Sequence, residues 1–184
     1  TGVATVTDNA PTNTTNFLLA YNMIPVRPVK LEDGSWFDTR EYDQGNPVRN
    51  QKENTHKNRI NNFYGHADVG YTIIDGLEAK VLLAKSRNTE DESKYSSIES
   101  QAGYNDGGKA ERWSRLRDKD LMEWTANYSA EFNKHKINAL IGYSWEEENY
   151  EETHVQTRGF VTDLLGANNL AAGQNLNPGD AESE

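Results

Sequence analysis

Met122–Trp145 reads MEWTANYSAEFNKHKINALIGYSW, and the alternation in this stretch decides the fold class. Met122, Trp124, Ala126, Tyr128, Ala130 and Phe132 alternate with Glu123, Thr125, Asn127, Ser129 and Glu131. After a polar break, Ile137, Ala139, Ile141, Tyr143 and Trp145 alternate with Lys136, Asn138, Leu140, Gly142 and Ser144. A period of two is the strand period, so the stretch predicts a β-hairpin with one apolar face. A two-residue turn at Lys134–His135 would place Phe132 opposite Ile137, Tyr128 opposite Ile141 and Trp124 opposite Trp145. In that register both faces match, and a slip by one residue would spoil them.

A second pair lies upstream. In RINNFYGHADVGYTI, from Arg59 to Ile73, Phe63, Ala67, Val69, Tyr71 and Ile73 share one face. In LEAKVLLAKSR, from Leu77 to Arg87, Leu77, Ala79, Val81 and Leu83 do the same, with Leu82 as the exception. The loop Ile74-Asp75-Gly76 fits a type I turn closed by a left-handed glycine, which pairs Ile73 with Leu77.

Length gives the alternation its meaning. Eight steps from Trp124 to Phe132, or from Ile137 to Trp145, climb roughly 19 Å at ~3.3 Å per residue and ~45° tilt. That approaches the ~25 Å apolar band of an outer-membrane barrel. Past the tryptophans the same face turns polar, with Asp118 and Asp120 on one strand, Glu147 and Asn149 on the other, and Lys85 at a similar height on the first hairpin. An apolar stripe capped by Trp and then by charge marks a bilayer edge. The residues expected to face lipid are Val69, Tyr71, Val81, Leu83, Trp124, Ala126, Tyr128, Phe132, Ile137, Ile141, Tyr143 and Trp145.

Composition agrees. Only 35% of the 184 residues are hydrophobic and mean hydropathy is −0.89, too polar for a comfortable soluble core. Four Trp, nine Tyr and five Phe argue against disorder. No run approaches the ~20 apolar residues of a membrane helix. The opening TGVATVTDNAPTNTT has neither the basic nor the apolar region of a signal peptide, so the start of the gene product is expected further upstream. There is no cysteine, which excludes disulfides and thiolate metal sites. A net charge of −10 without a basic run argues against a nucleic-acid partner.

The expected organisation is all-β: an extracellular loop region at 1–58, a wall hairpin at 59–87, an extracellular loop at 88–114, a second wall hairpin at 115–150, and an extracellular loop at 151–184. Short turns on one side and long polar connections on the other suit a transmembrane antiparallel barrel. Four strands cannot close such a barrel, and an open sheet in lipid leaves its edge amides unpaired, so the chain reads as part of a larger one. The alternative is a soluble carbohydrate-binding β-sandwich, in which a second sheet covers the apolar faces. Strands of ~12–15 residues and a count of only four weigh against it. A passive structural barrel or adhesin is a third reading.

Several stretches resemble the SusC/RagA family of TonB-linked outer-membrane transporters of Bacteroidetes. They are HKINALIGYSWEEENYEE (His135 to Glu152), RGFVTDLLGANNLAAG (Arg158 to Gly173), MIPVRPVKLEDGSWFD (Met23 to Asp38), NPV (Asn46 to Val48) and the Gly-Leu start of the second strand (Asp75 to Leu77). The resemblance implies a barrel of about 22 strands that imports a glycan or oligopeptide. It implies as partners the remaining barrel, a plug in the lumen, TonB pulling on that plug, a SusD-like surface lipoprotein as lid, and outer-membrane lipid. Neither plug nor TonB-contacting segment is found in this sequence.

Chemistry is thinly signalled, and neither catalysis nor a cofactor is expected. The run Glu146, Glu147, Glu148, Glu151 and Glu152 lacks the spaced, glycine-containing loop of a calcium site and reads as a solvated strand top. His56, His66, His135 and His154 lack zinc spacing. Asp118 and Asp120 could suggest a glycosidase pair, yet no complete catalytic set surrounds them. Trp36, Tyr42, Tyr104 and Trp113 lie in polar, irregular surroundings, where a ring stacks on a sugar face or anchors one loop to another. Phe17 to Met23 and Leu164 to Leu170 are expected as brief loop helices.

Overall fold

The computed structural model describes residues 2–7, 14–23, 26–37, 46–177 and 181–183. It is an antiparallel meander. Strands β1 (Gly2–Thr7), β2 (Asn54–Ile74), β3 (Leu77–Ser96), β4 (Lys109–Phe132), β5 (His135–Arg158) and β6 (Ala181–Ser183) lie in one sheet in chain order. Among the described residues, two helices precede β2: α1 (Thr14–Asn22) and α2 (Pro47–Glu53). Single 3-10 turns follow β5 at Gly166–Asn168 and Leu170–Ala172. The chain forms two compact units, and β2 to β5 contribute to both. Unit 1 comprises the described residues within 1–5, 60–89 and 115–151; unit 2 comprises those within 6–59, 90–114 and 152–184.

In unit 1 the hairpins form as the alternation predicts, with small shifts at the turns. Asp75 and Gly76 make the first turn, so Ile74 ends a strand rather than opening a loop. Gly76 has φ 82°, and its carbonyl accepts from Ser129 N at 2.7 Å, which ties this turn to β4. The second turn is Asn133–Lys134, one residue earlier than expected. Asn133 has φ 55°, and a two-residue hairpin needs a positive φ that Asn adopts far more readily than Lys or His. Pairing consequently starts at Phe132 and His135. The cross-strand contacts Glu131–Lys136 at 3.1 Å, Ser129–Asn138 at 2.8 Å and Glu123–Ser144 at 3.4 Å follow that register. Partners move by two residues, so the sorting of faces is unchanged.

All four long strands outrun the hairpin limits at 59–87 and 115–150. The stretches Asn54–Asn58, Asn88–Ser96, Lys109–Ser114 and Glu151–Arg158 are strand, not loop. The connection between hairpins shrinks to 97–108. Twenty-four residues in β4 and in β5, at ~3.3 Å per residue and ~45° tilt, climb about 55 Å, twice the ~25 Å apolar band. Beyond that band a strand needs no apolar face, because water solvates both sides and the ladder alone fixes the conformation. Its sequence then looks like a polar loop.

The 1–58 region likewise holds more than loop. Besides β1, it contains α2, whose Asn46 cap accepts from Val48 N (3.1 Å) and Arg49 N (3.2 Å), with Pro47 pre-set for the first turn. The Asn46 amide also donates to Val29 O at 2.8 Å, fastening the preceding segment to the helix start. Phe17 to Asn22 is helical, and the Leu164 to Leu170 run contains a 3-10 turn.

Gly76→Ala tests the register. An added Cβ would collide with the Ser129 carbonyl oxygen and require a strained positive φ. We expect a loss of about 1–3 kcal/mol. Urea unfolding measures it, and an unchanged midpoint would contradict this turn–strand contact.

Candidate membrane-facing surface and loop cluster

Because side chains alternate across a strand, the apolar residues of unit 1 share one face. That face is open. Val69 and Tyr71 are each 70% exposed and Ile141 63%; Trp124 at 40% and Trp145 at 42% lie nearer the polar end. Val81, Leu83, Phe132, Ile137 and Tyr143 are exposed as well, and Ala126 and Tyr128 are half-buried between neighbours. Among the described residues the buried hydrophobics are Tyr95, Ala110 and Phe160, all in unit 2. No second layer therefore covers the apolar face within the described chain, as a sandwich requires. Soluble monomers rarely expose a contiguous apolar patch beyond a few hundred Å².

The opposite face of unit 1 is held by polar pairs: Asp68–Lys80 at 3.1 Å, Lys119–Glu146 at 2.8 Å and Arg117–Glu148 at 3.2 Å. Glu146 and Glu148, from the acidic run, thus have cationic partners rather than forming a carboxylate cage. On the apolar face, charge begins past the tryptophans. Lys85 meets Asp120 at 3.0 Å and Arg87 meets Asp118 at 3.6 Å. Of the five residues that the sequence placed near one height, Lys85 and Asp120 form a direct pair.

Unit 2 is organised around Tyr95, on β3. Its ring packs edge-on to Phe160 at 5.4 Å, with Ala110, Ile98, Ala167, Leu170 and Ala172 around them. Its hydroxyl donates to Asp163 Oδ1 at 2.5 Å, and the same oxygen accepts from Ile98 N at 2.9 Å. Burial, and then the bond to the Asp163 carboxylate, push the phenol well above its ordinary range. Gly108, Gly159 and Gly166 carry positive φ around this cluster, and Gly166 lies against the Tyr95 ring. Neither periodicity nor spacing in the sequence announced it, since Tyr95 and Asp163 are 68 residues apart.

The four loop aromatics diverge. Trp36 donates from Nε1 to Glu53 Oε1 at 2.9 Å, and Lys30 Nζ sits 4.5 Å from its ring centroid. Trp113 is in β4, stacked on His154 at 4.6 Å and 9°, with Lys94 Nζ at 4.5 Å. Both therefore serve to anchor structure. Tyr104 is 50% exposed in the turn after β3. Tyr42 lies outside the described residues. Of the remaining histidines, His56 bonds Glu92 at 2.8 Å, His66 lies near Tyr64 and His135 opens β5.

The Tyr95 cluster gives a signed pH dependence. The folded phenol is raised above an unfolded value near 10, so its stabilisation is full below pH about 10 and declines as pH rises beyond it. Tyr95→Phe should cost about 1–3 kcal/mol at neutral pH and flatten that alkaline decline. Hydrogen exchange of 159–173 measured against pH checks both, and an identical alkaline profile in the variant would contradict the assignment.

No family model matches the chain. Two curated proteins do, both from Formosa agariphila. The chain is 26% identical to TonB-dependent receptor P3 over 155 residues, 84% of its own length, and 25% identical to TonB-dependent receptor P26 over 158 residues, 80% of its length. It spans only 16% of each of these relatives. The resemblance read from the sequence is thus met independently, and the antiparallel sheet is that of a β-barrel wall segment like those of TonB-dependent receptors.

Proposed function

We propose that the chain is a stretch of outer-membrane wall and extracellular structure in a TonB-linked importer, with lipid against the apolar face of unit 1. One observation carries the reading: side chains as large as Trp124, Tyr143, Trp145 and Ile141 remain 40–63% exposed on one face while the other face is laced with ion pairs. Hydrocarbon is the medium that makes such a face favourable, at about 25 cal/mol per Å² removed from water. The Trp and Tyr residues near Lys85–Asp120 then sit at the interface, as aromatic girdles do. Similarity to two TonB-dependent receptors supports the transport role over a passive barrel or an enzyme.

On this reading the cargo is a glycan or oligopeptide, a SusD-like lipoprotein closes over the outer side, and TonB acts through a plug carried elsewhere in the transporter. The chain supplies wall and rim rather than the energised part. Tyr104, half-exposed in the turn after β3, is an aromatic candidate for cargo contact.

A charge placed on either face separates the membrane reading from the soluble sandwich. Ile141→Arg is expected to cost ~2–4 kcal/mol when the protein folds into lipid vesicles, whereas Asn138→Arg, on the ion-paired face, should cost well under half of that. Equal penalties would defeat the facial assignment.

A further inference from the structure

Two adjoining clefts in unit 2 border β2, β3 and the 3-10 turn at Gly166–Asn168. The first, of about 240 Å³, brings together Lys57 and Arg59 of β2, Arg112 of β4, Ser93 of β3 and Asn168 of the turn. The second, of about 300 Å³, shares Lys57, Ser93 and Asn168 and adds Lys52. Three cations converging on one cleft are notable in a chain whose net charge is −10.

The carboxylates that border these clefts are already in use. Asp91 accepts from the Ser114 hydroxyl at 3.1 Å. Glu92 is held by Lys94 at 2.7 Å and His56 at 2.8 Å. In the second cleft, Glu53 accepts from Trp36 and Asp163 from Tyr95. Lys57, Arg59 and Arg112 show no ion pair among the described residues. Glu92 is thus neutralised by its own cations, and Asp91, which keeps its charge, faces three cations, so the first cleft is net positive, with the Ser93 hydroxyl and the Asn168 amide also lining it.

We propose that this cleft is a binding site for a tetrahedral oxyanion, the phosphate or sulfate ester of a larger ligand. Two guanidinium groups offer paired N–H donors that match such oxygens, and Lys57 adds a point charge. Ser93 and Asn168 complete the set with neutral donors. A volume below the ~300–1,000 Å³ of pockets that enclose a whole small molecule suits one charged group and leaves the rest of the ligand outside. The same ester chemistry reaches this surface on a lipid headgroup or on a soluble sugar, and the test separates the two.

The experiment uses the full-length membrane protein in neutral detergent, titrated calorimetrically with inorganic phosphate. Saturable binding is expected that weakens on the order of tenfold or more in Arg59→Gln/Arg112→Gln and falls with added salt. Lys134→Gln, in the unit 1 turn, should leave it unchanged. Competition by glucose 6-phosphate alone assigns the site to a soluble ester; competition by phosphatidic acid in phosphatidylcholine bicelles alone assigns it to a headgroup. Should the double variant fail to fold, Ser93→Glu, which puts a carboxylate in the cleft, is expected to abolish binding. Undiminished affinity in a folded variant, meaning an adventitious ion only, or no saturable binding by the unmodified protein, overturns the proposal.

Discussion

An amide inside hydrocarbon has no water to bond, so a chain that crosses a bilayer as strands must satisfy every backbone group through its neighbours. On the proposed reading, unit 1 is built to that constraint. The sheet has no core to hold it, since the buried hydrophobics of the described chain lie in unit 2. Its order comes from the ladder, from turns that fix register, and from cross-strand pairs such as Ser129–Asn138 and Lys119–Glu146. The apolar face contributes little by contact within the chain and much by its choice of surroundings. In water such a face is a liability; in lipid, as proposed, it is not.

How far this was legible in the sequence depended on whether a stretch had a contrast to display. From Trp124 to Phe132 and from Ile137 to Trp145, one face is apolar and the other polar, and strand, face and approximate register could all be read. Above Lys85 and Asp120 both faces are polar, and SRNTEDESKYS was indistinguishable from a loop although it continues β3. The second turn falls one residue earlier than the alternation alone places it, because Asn133 takes the positive φ. Asn46-Pro47 carries a local helix-start signal, a capping side chain followed by proline, that needs no long-range contact to be read.

The loop site was less legible for a different reason. Tyr95, Phe160 and Asp163 form their cluster by long-range packing, and neither period nor spacing encodes a contact of that kind. The same holds for Lys57, Arg59 and Arg112, which come from two strands separated by fifty residues and more of sequence. The sequence left Trp36 and Trp113 open between sugar platforms and loop anchors; their neighbours Glu53, Lys30, Lys94 and His154 could be known only from the fold. Position in the chain told which residues were aromatic and solvent-side, not which were already engaged.

The four tryptophans divide evenly, Trp124 and Trp145 on the apolar face of unit 1, Trp36 and Trp113 in unit 2. Single-tryptophan versions of the protein in vesicles of brominated phospholipid test the lipid contact directly, since bromine quenches indole emission only at close range. The account predicts strong quenching at Trp124 and Trp145 and almost none at Trp36 and Trp113. Equal, weak quenching at all four positions would contradict it.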